Sequence, residues 1–170
     1  MKSKENLVFV GMMGSGKSSV GLLAAKKLKL NFIDVDKEIE KELELSISKI
    51  FETKGEEFFR KFEEKVTLKK LKLSSAVISL GGGAFTNKNV RQEVLKNHIS
   101  FWLNWDNETL LNRIKNSKKR PLAVNSTKDE LINLIKKRSN IYSKALYEIK
   151  CDNLSKNEIV KNIIKTYETH

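Results

Sequence analysis

The sequence is poor in residues that cross-link or interrupt a small protein. Its 170 residues include one cysteine, Cys151, so no disulfide can form within the chain, and we expect this thiol to be a small buried apolar group. The single proline argues against disordered linkers. No apolar run approaches the ~18 residues that a membrane span requires. We therefore expect one soluble, cytoplasmic domain over residues 1–170 with no membrane partner.

Arginine is also scarce. Only five of the 33 basic residues are arginines, although the net charge is +12. Such a charge suits a nucleic-acid surface, an anionic substrate or a solvated lysine-rich surface, but the clustered arginines and interleaved aromatics of a polyanion groove are missing. We expect no nucleic-acid partner and a surface that attracts anions such as ATP. Each arginine is a candidate for a site that needs a planar, bidentate donor. They are Arg60, Arg91, Arg113, Arg120 and Arg138.

Short apolar runs alternate with amphipathic stretches along the chain, which predicts an α/β fold. The predicted strands are 7–10, 31–36, 76–80, 99–103 and 147–151. The predicted helices are 17–29, 37–73 with a break near Gly55, 87–96 capped by Asn87, 107–115, 127–143 and one that starts at Ser155. Residues 116–126 are predicted to be a loop. This alternation predicts right-handed crossovers and a five-stranded parallel sheet covered by helices on both faces.

The first predicted strand runs into a complete Walker A motif, from Gly11 to Ser18. Glycines let the backbone wind around phosphates, and the helix N-terminus adds positive potential. Lys17 is expected at the β and γ phosphates, and Ser18 at Mg²⁺. The predicted ATP-binding residues of this segment are Gly14, Ser15, Gly16, Lys17, Ser18 and Ser19.

Two aspartates end the second predicted strand. In an extended segment Asp34 and Asp36 would point to the same face and towards the crevice beyond the carboxyl ends of the strands. One can organise Mg²⁺ while the other orients the hydroxyl that accepts the phosphate. The alternative is that Asp36 caps the helix that follows.

Two further features suit an acceptor site, one on a helix and one at the same edge of the sheet. Arg60 stands beside aromatic residues on a predicted helix, where it can be held rigid and aimed at a substrate carboxylate, or can simply be solvated. The glycines of segment 81–83 end the third strand, and their amides can hold a substrate oxygen, unless they form only a tight turn. An acceptor with a carboxylate is therefore expected.

Taken in order, these segments resemble the shikimate kinases over nearly the whole chain. The matching segments are 11–18, 32–36, 55–60, 79–83, 120–122 and 138–142. The resemblance implies a three-layer P-loop kinase that uses ATP and Mg²⁺ to phosphorylate the 3-hydroxyl of shikimate, a step towards aromatic amino acids. An acceptor-binding helical segment over 37–73 and a lid over 116–126 are further implications.

Site roles also follow from the resemblance. Asp36 would hold the acceptor hydroxyls and serve as base, and Arg60 and Arg138 would bind the carboxylate, joined by Gly82 and its neighbours Gly81 and Gly83. Asp34 would reach Mg²⁺ through water.

On the nucleotide side, Arg120 would be the lid arginine that balances charge in the transition state together with Lys17. Arg113 would lie near the adenine or have a plain surface role. The turn at 152–155 departs from the family, which often has arginine or proline there. A gluconate or nucleoside monophosphate kinase and an inactive ATP-binding regulatory module are the alternatives, and a monomer is expected.

Overall fold

The computed structural model describes residues 5–116 and 125–170, in which strands and helices alternate as predicted. The strands are β1 Leu7–Val10, β2 Asn31–Asp34, β3 Ala76–Ser79, β4 Ile99–Asn104 and β5 Tyr147–Lys150. The helices are α1 Lys17–Leu28, α2 Val35–Leu43, α3 Ile47–Leu71, α4 Lys88–Asn97, α5 Asn107–Lys115, α6 Lys128–Tyr142 and α7 Lys156–Glu168, with a 3₁₀ turn at Ala84–Thr86. Among the described helices none is long and apolar enough to cross a membrane.

The five strands form one parallel sheet in the order β2-β3-β1-β4-β5. Both faces are buried, as the apolar runs predict. In β1, Leu7 and Phe9 pack with α1 and α7, while Val8 and Val10 pack with the helices on the other face. The predicted α/β class and three-layer arrangement are confirmed.

Side chains cap three of the helices as the sequence predicts. The Asn87 side-chain oxygen Oδ1 accepts from the backbone amides of Asn89 and Val90 at the start of α4. Capping boxes open α6 and α7, where Thr127 and Ser155 each exchange hydrogen bonds with a glutamate three residues later. These contacts satisfy first-turn amides that have no partner within the helix.

The second strand is shorter than predicted. β2 ends at Asp34, and the chain turns at once into α2, so the expectation of an extended segment through Asp36 is wrong. The cause is local: the Asp34 carboxylate accepts from the Lys37 amide at 3.3 Å and caps the helix itself. The capping role considered for Asp36 therefore belongs to Asp34.

The helical segment predicted over 37–73 is interrupted twice. The expected break at Gly55 is present, with φ 82° inside α3. A second break, which the sequence analysis missed, separates α2 from α3 where Glu44 takes φ 53° and Ser46 caps the next helix. The other predicted ends lie within two residues of the observed ones.

Candidate active site

The phosphate loop joins β1 to α1, the strand and helix context that a Walker A motif requires. Gly14 and Gly16 have φ of 81° and 85°, which side chains rarely adopt. A Cβ atom on Gly11 would lie 3.0 Å from the Leu103 carbonyl oxygen. The loop geometry therefore depends on its glycines.

Two polar side chains of this loop are buried. The Lys17 ammonium is buried and donates to the carbonyl oxygens of Gly11 and Met12, at 2.8 and 3.0 Å. The Ser15 hydroxyl oxygen is buried, and no hydrogen-bond partner for it is found in the described parts of the chain. A buried hydroxyl costs free energy unless it is paired, so Ser15 fits a phosphate oxygen as partner.

The residues predicted to serve Mg²⁺ lie together. The Ser18 hydroxyl donates to Asp34 Oδ2 at 2.5 Å, across the gap between α1 and β2. A hydroxyl and a carboxylate are oxygen donors of the kind that Mg²⁺ takes, with phosphate oxygens and waters completing its octahedron. The two residues fit the ion, and within residues 5–116 and 125–170 no cluster of three or more acidic, histidine or cysteine side chains competes for it.

Trp105 forms a hydrogen bond to the phosphate loop, a contact that the sequence analysis did not predict. Its indole nitrogen donates to the Ser15 carbonyl oxygen at 2.9 Å. The Arg113 guanidinium lies 3.9 Å from the centre of the indole ring and donates to the Gly14 carbonyl oxygen at 3.2 Å. Arg113 was expected near the adenine or on the surface, and the structure places its guanidinium beside the phosphate loop.

The triple-glycine turn at 81–83 lies against charged side chains. A Cβ atom on Gly81 would stand 2.6 Å from Glu63 Oε1 and 2.7 Å from Asp36 Oδ1. One on Gly83 would collide with the Arg60 guanidinium. The glycines therefore allow three ionisable groups to approach the backbone, which a simple tight turn does not require.

The middle glycine lies between the phosphate loop and α6. A Cβ atom on Gly82 would be 3.1 Å from the Met13 amide nitrogen and 3.6 Å from Arg138 Nη1. Arg138 is buried. The structure thus brings Asp36, Arg60 and Arg138 to one turn that touches the phosphate loop.

Glu63 is the functional candidate that the sequence analysis did not single out. Its carboxylate is almost fully buried and bonds Arg60 Nη1 at 2.7 Å, while Glu56 lies 3.5 Å from the same guanidinium. Burial raises the pKa of Glu63 above its usual range, against the opposing charge of Arg60. The signal was available, since Glu63 follows Arg60 by three residues on one helix.

Arg91 and Arg120 are the two remaining arginines of the chain. Arg91, for which the sequence suggested no role, donates to the carbonyl oxygens of Phe85 and Thr86 at 3.1 and 2.9 Å and so braces the 3₁₀ turn. Arg120 and most of the predicted lid over 116–126 lie outside the described residues.

Comparison with known proteins decides the family. The sequence model described as shikimate kinase matches residues 13–168. The shikimate kinase of Bartonella quintana is 38% identical over 98% of this chain and 80% of its own length. The chain belongs to the shikimate kinase family. It is accordingly an ATP-dependent kinase.

Solved structures of the family agree with the fold. A shikimate kinase from Acinetobacter baumannii in complex with shikimate superposes with a TM-score of 0.92, at 32% identity, over 97% of this chain and 93% of that one. The Aquifex aeolicus shikimate kinase gives 0.86 at 38% identity, with 96% of each chain covered. The gluconate and nucleoside monophosphate alternatives lose their support, because relatives of this identity are shikimate kinases.

Proposed function

We propose that this chain transfers the γ-phosphate of ATP to the 3-hydroxyl of shikimate, giving shikimate 3-phosphate and ADP on the route to aromatic amino acids. One observation carries the proposal: Asp36, Arg60 and Arg138 converge on a glycine turn that touches the phosphate loop. Two guanidinium groups suit a carboxylate, and the nearby carboxylate of Asp36 suits a hydroxyl that must lose a proton.

The acceptor is held by charge and by backbone. Arg60 and Arg138 bind its carboxylate, and the amides at Gly81, Gly82 and Gly83 approach its oxygens. Asp36 accepts the proton of the attacking hydroxyl as the bond to phosphorus forms. Glu63 fixes the direction of Arg60 through their ion pair.

The donor is held by the phosphate loop. The loop amides from Gly14 to Ser19 surround the phosphates, apart from that of Ser15, which already donates to the Met12 carbonyl oxygen at 3.1 Å. Lys17 places its charge where the γ-phosphate departs from ADP. Ser18 and Asp34 would hold Mg²⁺, which neutralises phosphate charge when it is bound. Arg120 would add positive charge from the lid, and Arg113 would lie on the adenine side. The enzyme acts as a cytoplasmic monomer without nucleic-acid or membrane partners.

A coupled ADP-release assay with ATP and Mg²⁺ tests the proposal by comparing shikimate, gluconate and AMP as acceptors. Turnover with shikimate alone, with the product identified by mass and by its phosphorus resonance, is the expected result. Turnover with gluconate or AMP instead would overturn the acceptor assignment. ATP binding without turnover of any acceptor would favour the inactive regulatory module.

A further inference from the structure

Tyr142 is a fully buried tyrosine at the end of α6, and its hydroxyl reaches the acceptor turn. The side chain is 1% exposed, and the hydroxyl donates to the Gly82 carbonyl oxygen. It stands four residues after Arg138, so both side chains project from the same face of the helix. One helix therefore supplies both an arginine and a hydroxyl to the same turn.

The carbonyl oxygens of the three turn glycines accept hydrogen bonds from two kinds of donor, nearby backbone amides and one distant side chain. The Gly81 oxygen accepts from the Ala84 amide at 3.1 Å, and the Gly83 oxygen from the Thr86 amide at 3.0 Å, so both donors belong to the 3₁₀ turn that directly follows. The Gly82 oxygen accepts from Tyr142, 60 residues away. Within the described residues, the middle carbonyl is thus the one whose direction depends on a distant side chain.

The direction of the Gly82 carbonyl group also sets the direction of the Gly83 N–H group. In a trans peptide the carbonyl and the following N–H point to opposite sides, so the bond from Tyr142 to Gly82 turns the Gly83 amide away from α6. No acceptor for the amides of Gly82 and Gly83 is found among the residues that the structure describes. These donors are available to a ligand oxygen.

The Tyr142 hydroxyl is protonated at neutral pH, and burial only widens that margin. Burial raises the pKa of Tyr142 to about 12, although the Arg138 guanidinium opposes the shift. The hydroxyl keeps its proton at neutral pH and remains a donor to the carbonyl.

We propose that Tyr142 is a positioning residue for acceptor binding, whose hydroxyl fixes the peptide between Gly82 and Gly83 so that its amide faces the acceptor. This inference rests on the proposed function, since it presumes that the turn binds shikimate. Tyr142 itself does not touch the reacting atoms.

The test is Tyr142→Phe, which keeps the ring and removes the hydroxyl. Because a carbonyl that has lost its donor is free to turn, we expect the KM for shikimate to rise about tenfold while kcat and the KM for ATP change less than about twofold. Tyr147→Phe is the matched control, since it removes a hydroxyl that pairs with exposed His170 at 2.7 Å. The control should leave all three constants unchanged.

Two results would overturn the proposal. One is an unchanged KM for shikimate, and the other is an equal rise in both KM values with a lower melting temperature, which would indicate a structural role alone. Titration of the wild-type protein with shikimate gives a readout that needs no variant: the Gly83 amide resonance should shift more than that of Gly16. An unmoved Gly83 resonance would also overturn the proposal.

The wild-type assay separates the two proposals. If the wild-type protein turns over shikimate and the Tyr142→Phe variant behaves like it, the role of Tyr142 alone is wrong. If the wild-type protein neither binds nor turns over shikimate, both proposals fall together.

Discussion

The phosphate loop and the triple-glycine turn are both glycine-rich segments at the ends of adjacent strands, yet they are held in place differently. The phosphate loop is shaped mainly by its own backbone, with three glycines at positive φ and with Lys17 folded onto carbonyl oxygens five and six residues away. Trp105 and Arg113 add one hydrogen bond each from outside the loop. The triple-glycine turn is surrounded by side chains from α2, α3 and α6, including Asp36, Glu63 and Tyr142. The phosphate loop therefore depends mostly on its own residues, whereas the acceptor turn depends mostly on side chains from distant helices.

The largest effect is expected at the centre of the phosphate loop. Lys17→Ala removes the charge at the transferred phosphate and the donor to two loop carbonyls, so kcat for shikimate should fall about 10²- to 10³-fold. The ADP-release assay measures it. Lys26→Ala is the control, because Lys26 is exposed on the same helix. Activity within a few-fold of the wild type would show that the loop does not hold the nucleotide.

A smaller and more selective effect is expected on the acceptor side. Arg60→Ala should raise the KM for shikimate about 10- to 100-fold, since a charged bond to a carboxylate is lost, and leave the KM for ATP within about twofold. Lys61→Ala removes the same charge from an exposed position of the same helix. If both KM values rose equally, the two regions would not be independent.

The success of the sequence-based predictions also differs between the phosphate loop and the acceptor turn. The phosphate loop was recognisable because its residues are consecutive and their spacing is fixed by backbone geometry. The sheet was predictable because apolar runs alternate with amphipathic helices. The C-terminal end of β2 was not, since a single carboxylate at Asp34 decides whether the chain stays extended or begins a helix.

The acceptor side could be predicted only in part. Arg60 stood out because arginine is rare in this chain and aromatic residues stand beside it, and Arg138 through the resemblance to the shikimate kinases. Glu63 and Tyr142 did not, because their contacts become visible only when α3 and α6 pack around the turn, and a glutamate or tyrosine on a helix is otherwise unremarkable. Trp105 was missed for the same reason, since its partner lies 90 residues away.

The smallest expected effect concerns stability and arises from the buried charge of the acceptor side. Glu63 has a pKa above its usual value of 4.5 because it is buried, with Arg60 and Arg138 opposing and Glu56 reinforcing the shift. The folded state therefore holds the Glu63 proton more tightly than the unfolded state does. The stability that this proton contributes is complete below the usual pKa and is lost as the pH rises through the folded pKa.

Replacing Glu63 by glutamine removes this titration. The free energy of unfolding of Glu63→Gln, measured in urea, should therefore rise relative to that of the wild type as the pH increases from about 4.5. Glu57→Gln is a control of opposite sign, because Lys61 lowers the pKa of exposed Glu57 and any contribution from that carboxylate is lost as the pH falls. Parallel curves for Glu63→Gln and the wild type would mean that Arg60 fully compensates the burial of Glu63. Burying the Glu63 carboxylate beside the acceptor turn would then cost no stability. Distant helices would hold the turn through packing and hydrogen bonds alone.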